Sequence, residues 1–162
     1  MDTRKHKGAV NALLDEYAKA IASLQAVLET TDEASLVALA DPHTTNTDCT
    51  SIQTVMAHVV RSGFSYCVYI RHLRGGIDER PERIFRSSPA EYIADLDRVL
   101  LYTQETFTHI YDEDLEEFDH TKKMHTNWGQ DYDIEQLMEH AIVHILRHRR
   151  QVENFIRRLA AG

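Results

Sequence analysis

The chain of 162 residues has few of the residues that interrupt regular structure, with only six glycines and three prolines. They fall between segments in which apolar residues recur at helical spacing, so the sequence predicts an all-α protein. No apolar run approaches the roughly 20 residues that a membrane span requires, and we expect no contact with a membrane. The basic residues 1–7 are not followed by the apolar run of a signal peptide, which predicts a cytoplasmic location.

Cysteine is also scarce, and basic residues are fewer than acidic ones. Cys49 and Cys67 are expected at the start and middle of one helix, roughly 27 Å apart, which is too far for a disulfide. The formal net charge of −8 argues against broad binding to nucleic acid, which needs a positive face. The local exception is the arginine-rich last helix, which we interpret as a solvated face.

Four long stretches of helical periodicity suggest the architecture. Together with capping patterns, they predict long helices at about 8–29, 50–74, 88–111 and 133–159, and a short helix at 30–39. Residues 112–132 are irregular, and we expect an ordered loop or a short hairpin there. The length suits one domain, residues 1–162, folded as a four-helix bundle with one short extra helix and a long irregular connection before the last helix.

Three histidines recur at four-residue spacing in the last predicted helix: His140, His144 and His148. Side chains at i and i+4 stack on one face of a helix, and two neutral imidazoles there can bind one transition metal. His140 and His148 lie about 12 Å apart along the helix axis, too far for one ion. His148 should face the bundle and His144 should flank it, so these two form the better pair.

A third ligand has to come from another helix, and the second long helix offers His58. It lies on one flank of an apolar stripe, within reach of a neighbouring helix. This position permits a three-histidine site but does not require one. The competing interpretation is that these are ordinary helix histidines whose rings are satisfied by carboxylates and carbonyls. The other six histidines have no convincing partner pattern and are expected to face solvent.

Several motifs together resemble the DinB/YfiT-like superfamily. They are a histidine in the second long helix, Trp128-Gly129 shortly before the last helix, and His144-x-x-x-His148 followed by Arg149-x-Gln151-Val152. The resemblance in overall order covers about residues 10–159, although outside the motifs it depends on helix lengths. Arg150 departs from the pattern, because many members of the family have glycine at this position.

The resemblance implies a four-helix bundle that holds a divalent metal (Ni, Zn, Fe or Mn) through His58, His144 and His148, with His140 close by but not a ligand. It also implies a homodimer acting on a small molecule. Some members look like S-transferases or isomerases that use a low-molecular-weight thiol, and others look like metal-dependent hydrolases. We favour thiol chemistry, and keep as alternatives a hydrolase and a non-catalytic metal-binding or dimeric interaction protein.

Further residues are candidates for supporting roles. Metal-binding imidazoles are usually oriented by carboxylates that accept a hydrogen bond from the other ring nitrogen, and Glu16, Glu135 and Glu139 are available for this. Three aromatic residues can line a pocket or belong to the core: Tyr66, Tyr69 and Trp128. Arg147 or Arg149 can bind an anionic thiol. The sequence contains no nucleophile elbow, P-loop or CxxC pair, so a serine hydrolase, a phosphate cradle and a redox dithiol lack support.

Overall fold

The computed structural model describes residues 6–162, so most of the basic N-terminal segment lies outside the described residues. The prediction of an all-α fold is confirmed. The helices are α1 Gly8–Glu29, α2 Glu33–Val37, α3 Ile52–Leu73, α4 Pro89–Thr106 and α5 Ile134–Ala160. Within the described part of the chain, no helix is both long enough and apolar enough to cross a membrane.

The four long helices pack as a bundle around one apolar core. α1 contacts α4 and α5, and α3 contacts the same two helices, so α1 and α3 occupy opposite corners. The chain therefore crosses a diagonal of the bundle between α1 and α3 and again between α4 and α5. The second crossing is the long irregular connection, as expected. Helices α3 and α5, which carry the three candidate metal ligands, are direct neighbours in this arrangement.

Two helices end earlier than the sequence predicts. The short helix α2 is capped by Asp32, whose side chain accepts from Ser35 N, and ends at Val37 rather than at residue 39. It stops because the backbone N–H groups of Ala40 and Asp41 donate to Thr50 O. Helix α4 begins at Pro89 as predicted, after the Ser88 cap, but ends at Thr106 rather than near residue 111.

The connection between α4 and α5 contains the short hairpin that was one of the two expectations for this segment. Strands β1 Met124–His125 and β2 Asp131–Tyr132 pair antiparallel. Gly129 has φ +86°, a left-handed conformation that glycine adopts without strain, and its N–H donates to Thr126 O. This turn holds Trp128 beside the N-terminal half of α5.

Candidate metal centre

The structure brings His58, His144 and His148 together where α3 and α5 meet. Each offers one ring nitrogen, and the three nitrogens all lie within 4.8 Å of one another. His58 projects from α3, while the other two lie one turn apart on α5. Capping boxes at Ser51 and Asp133 define where these helices begin. His148 is buried, and the other two rings are half-buried, as their positions relative to the apolar stripes predict.

The donor set fits a divalent transition metal. The Nε2 atoms of His58 and His144 are 3.0 Å apart. Metal–nitrogen bonds of about 2.0–2.1 Å would put neighbouring ligand nitrogens about 2.9–3.4 Å apart, from right-angle to tetrahedral geometry. Three imidazoles without a carboxylate ligand are a donor set that transition metals bind, and they would leave coordination positions open.

Two side chains control which nitrogen His58 and His148 present to the rest of the cluster. Asp48 Oδ2 lies 3.3 Å from His58 Nδ1, and Gln151 Oε1 lies 2.8 Å from His148 Nδ1. A proton on each Nδ1 leaves the Nε2 lone pair free to bind a cation. Gln151 could have been found from its i+3 spacing to His148, but Asp48 lies in the 3₁₀ turn Thr47–Cys49, which has no periodic signal.

Burial keeps the three imidazoles uncharged near neutral pH, the state that binds metal. It lowers the pKa of His58, that of His144 to about 2 and that of His148 to about 4. Repulsion between the rings adds to the effect on His144 and His148. A free energy cost therefore opposes protonation of the cluster, and the neutral rings keep lone pairs with which to bind a metal.

His140 borders the cluster but lies outside it, as the resemblance implied. Its ring stacks on Trp128 with centroids 5.3 Å apart and planes 19° apart, and its Nδ1 lies 3.3 Å from the Tyr132 hydroxyl. Tyr66 packs edge-on against His140, His144 and Trp128. Tyr66, Trp128 and His140 form an aromatic wall beside the three-histidine cluster. Trp128 is 41% exposed.

Two cavities meet at the cluster, and His58 and His144 line both. The first, of about 380 Å³, is bordered by the aromatic wall and by three arginines, Arg61, Arg80 and Arg83. The second, of about 340 Å³, is bordered by all three histidines together with Cys49, Arg147 and Gln151. The open positions of a bound metal would therefore be accessible to small molecules.

Several candidates from the sequence lie elsewhere. Glu16, Glu135 and Glu139 make no contact of ion-pair length with the three histidines, whose partners are Asp48 and Gln151 instead. Arg149 faces Glu153 at 3.6 Å. Tyr69 contacts Trp128 but does not line the first cavity. The remaining histidines are exposed as predicted: His6, His43, His72, His109, His120 and His125.

The two cysteines are free thiols, as predicted, but they do not share a helix. Cys67 is buried in α3, where it contacts Thr103, whereas Cys49 ends the 3₁₀ turn before that helix. Cys49 is half-buried and borders the second cavity, a position that the sequence did not indicate.

No protein-family model, curated protein or solved structure matches the chain. The case for a function therefore comes from the geometry of the site.

Proposed function

We propose that the protein is a metal-dependent enzyme of the DinB/YfiT-like kind, in which His58, His144 and His148 hold one divalent transition metal. The observation that carries the proposal is the convergence of three neutral imidazole nitrogens within 4.8 Å at the border of two cavities. When bound, such a cation acts as a Lewis acid and lowers the pKa of a thiol or water in its open positions.

We favour transfer of a small thiol to an electrophile over hydrolysis, in keeping with the resemblance, and the lining of the first cavity indicates which group would serve as the base. Among the described residues that line the first cavity, Asp48 is the only carboxylate, and it is engaged by both Arg83 and His58. It is therefore a poor general base for activating water. His140 lines the same cavity, and burial lowers its pKa, so its ring is neutral near pH 7 and can accept the thiol proton.

The proposed reaction balances without an oxidant or a reductant. The thiol gives its proton to His140, its sulfur forms a bond to the electrophilic carbon, and the leaving group departs with the electron pair of the bond that breaks. Where the electrophile is an activated double bond, the proton returns to the substrate carbon and no group departs. The residues that line the first cavity position both reactants.

The first experiment measures metal content after purification without an affinity tag and reconstitution at pH 7.5 with Zn²⁺, Ni²⁺, Fe²⁺ or Mn²⁺. We expect about one ion per chain in the wild type and a large loss in His58→Ala and His148→Ala. The matched control is His43→Ala, which removes an exposed histidine outside both cavities. Absence of bound metal from the wild type under all four conditions would refute the proposal.

A second experiment separates the two chemistries. The metal-loaded protein is given glutathione, bacillithiol or mycothiol with an alkyl halide, and in parallel a nitrophenyl ester without thiol. Consumption of the thiol above the rate of the His144→Ala variant supports transfer. Ester cleavage without thiol identifies the hydrolase instead. Metal binding with neither activity favours the non-catalytic alternative.

The proposal includes a homodimer, which light scattering on the purified protein tests directly. The cytoplasmic location stays a prediction from the sequence.

A further inference from the structure

We propose that the first cavity binds a substrate that carries an oxyanion, a carboxylate or a phosphate, on a flat unsaturated or aromatic body. This names the substrate class of the proposed enzyme and therefore rests on that function. The oxyanion would contact Arg61 and Arg80, and the flat body would lie against the aromatic wall formed by Tyr66, Trp128 and His140. His58 and His144 border the same cavity, so the rest of the molecule would reach the metal.

The cavity carries positive charge that the chain does not neutralise. Three arginines line it, and only Arg83 is paired, through both terminal nitrogens, with Asp48. Within residues 6–162, Arg61 and Arg80 have no carboxylate within ion-pair distance, although acidic residues outnumber basic ones in the whole chain by 26 to 18. Such an excess of half-buried guanidinium groups, in an acidic protein, is typical of a site that receives an anion.

One buried donor in this cavity also lacks a partner. Arg83 Nε is buried and makes no hydrogen bond among the described residues, while the rest of that guanidinium group is held by Asp48. Buried donors in folded proteins nearly always have a partner, from the protein, from water or from a ligand. The guanidinium group of Arg83 therefore keeps one N–H that no described residue satisfies, as does that of Arg149 on α5, at Nε.

The arginines are held in place by contacts that leave other donors available. Arg61 Nε donates to Pro81 O at 3.2 Å, which ties α3 to the segment 75–87. In that segment, Arg80 Nη2 donates to the Tyr69 hydroxyl at 2.8 Å, and the same hydroxyl accepts from Asn127 N at 2.9 Å. Each arginine therefore uses one N–H for positioning, and the remaining ones are free to bind a bidentate anion.

The aromatic wall indicates the chemical nature of the other end of the ligand. Trp128 lines the cavity and is 41% exposed overall, with its ring stacked on His140 and packed edge-on against Tyr66 and Tyr69. The part of the indole that remains exposed offers an aromatic surface to a flat molecule. Offset stacking on indole is favourable for aromatic and conjugated groups. A ligand with an anion at one end and a flat body at the other matches both walls.

Trp128 is the only tryptophan of the chain, so its fluorescence reports directly on this cavity. We would titrate benzoate and phenyl phosphate into the metal-free protein and into the zinc-loaded protein, with benzyl alcohol as the uncharged probe. We expect a saturable change with at least one anion, and binding by benzyl alcohol at least tenfold weaker. The stronger of the two anions identifies whether the cavity takes a carboxylate or a phosphate.

The variants Arg61→Gln and Arg80→Gln should each weaken anion binding about tenfold or more, because each loses a charge-assisted contact. Arg150→Gln is the matched control: it removes the same charge from an exposed position on α5 outside both cavities, and should bind like the wild type. Because the two arginines lie on different elements, loss of folding in one variant, seen by circular dichroism, leaves the other as the test.

Equal binding by all variants, equal binding of benzyl alcohol, or no saturable signal with either anion would overturn the inference. Its failure is distinguishable from failure of the enzyme proposal, because metal content is measured separately. Anion binding through Arg61 and Arg80 in a protein that takes up no metal would refute the enzyme proposal but not this inference. Metal binding without anion binding would refute this inference alone.

Discussion

Asp48 lies between His58 and Arg83 and contacts both. Its Oδ2 is 3.3 Å from His58 Nδ1, and the Arg83 guanidinium group holds its two oxygens. The carboxylate therefore connects the three-histidine cluster to the arginine-lined wall of the first cavity. Carboxylates in this position hold a ligating imidazole in one tautomer and increase its basicity.

The substitution Asp48→Asn should lower metal affinity about 10- to 100-fold, the usual effect of removing such a partner. The physical reason is that an amide stabilises the Nδ1–H tautomer of His58 less well and leaves Arg83 uncompensated. Competition with a chromophoric zinc chelator measures the change.

Asp15→Asn is the matched control, since it removes a carboxylate from an exposed position of α1. Gln151→Leu gives an independent check, because it removes the partner of His148 without changing charge. Wild-type affinity in both Asp48→Asn and Gln151→Leu would show that these contacts do not support a metal.

Local spacing was sufficient to predict part of this site. His144 and His148 are one turn apart on one helix, so helical geometry alone places them together. His58 could be placed only on the flank of an apolar stripe, and its meeting with α5 depends on tertiary packing. Asp48, Arg80 and Arg83 lie in short turns or irregular segments, where no periodicity indicates direction, so their convergence was not predictable.

The end of α4 shows the same limit for the fold. The apolar pattern continues through Phe107 and Ile110, and both are buried, so periodicity predicts a helix to about residue 111. The helix nevertheless ends at Thr106. Phe107 N caps it by donating to Thr103 O, and Ile110 N donates to Phe107 O in the turn that follows. Apolar residues that are buried in a connection across the bundle and apolar residues that are buried on a helix face leave the same spacing in the sequence.

His140 should affect turnover without affecting metal content. The substitution His140→Phe preserves an aromatic ring against Trp128 but removes the proposed proton acceptor. We expect an unchanged metal-to-protein ratio and a fall of about 100-fold in kcat for thiol transfer, as for loss of a general base. Loss of metal together with activity would instead make His140 a ligand.

Gly63 should be needed for the close packing of α3 against α4. A Cβ at this position would lie 2.5 Å from Val99 Cγ1. Alanine gains up to about 1 kcal/mol in helix propensity over glycine, but overpacking a core costs about 1–3 kcal/mol. We expect Gly63→Ala to lower the free energy of unfolding, measured with urea.

Gly8→Ala is the control for this substitution, because its added Cβ would approach Asp112 Oδ2 no closer than 3.6 Å. It should be neutral or slightly stabilising. Equal effects of the two substitutions would mean that α3 and α4 can separate without cost.

Asp95 should stabilise the folded protein at neutral pH and lose this effect in acid. This carboxylate is buried in α4 and accepts from Arg86 Nε at 2.8 Å and Arg86 Nη2 at 3.0 Å, with a further bond from Arg98. Burial by itself would raise the pKa of Asp95, but the hydrogen bonds from the two arginines outweigh it and hold the pKa below its usual value.

Because the pKa of Asp95 is lower in the folded protein than in the unfolded chain, the unfolded chain binds the proton more tightly. The stabilisation is therefore complete above the unfolded pKa of about 3.9 and is lost as the pH falls through the folded pKa. Asp95→Asn should cost on the order of 3 kcal/mol at pH 7, as when one partner of a buried ion pair is removed. As the pH falls through the folded pKa of Asp95, the difference from the wild type should shrink, since the wild-type carboxyl then becomes protonated as well.

Urea unfolding at pH 7 and at a series of pH values below the unfolded pKa measures how the difference changes. Asp97→Asn, an exposed change on the same helix that keeps an acceptor for Gln25, should be close to neutral at all of these pH values. A difference between Asp95→Asn and the wild type that stays constant with pH would show that Asp95 contributes through packing rather than charge. Because Arg86 lies next to the last residue of the segment 75–87, the same variant should also weaken anion binding in the first cavity by loosening Arg80 and Arg83.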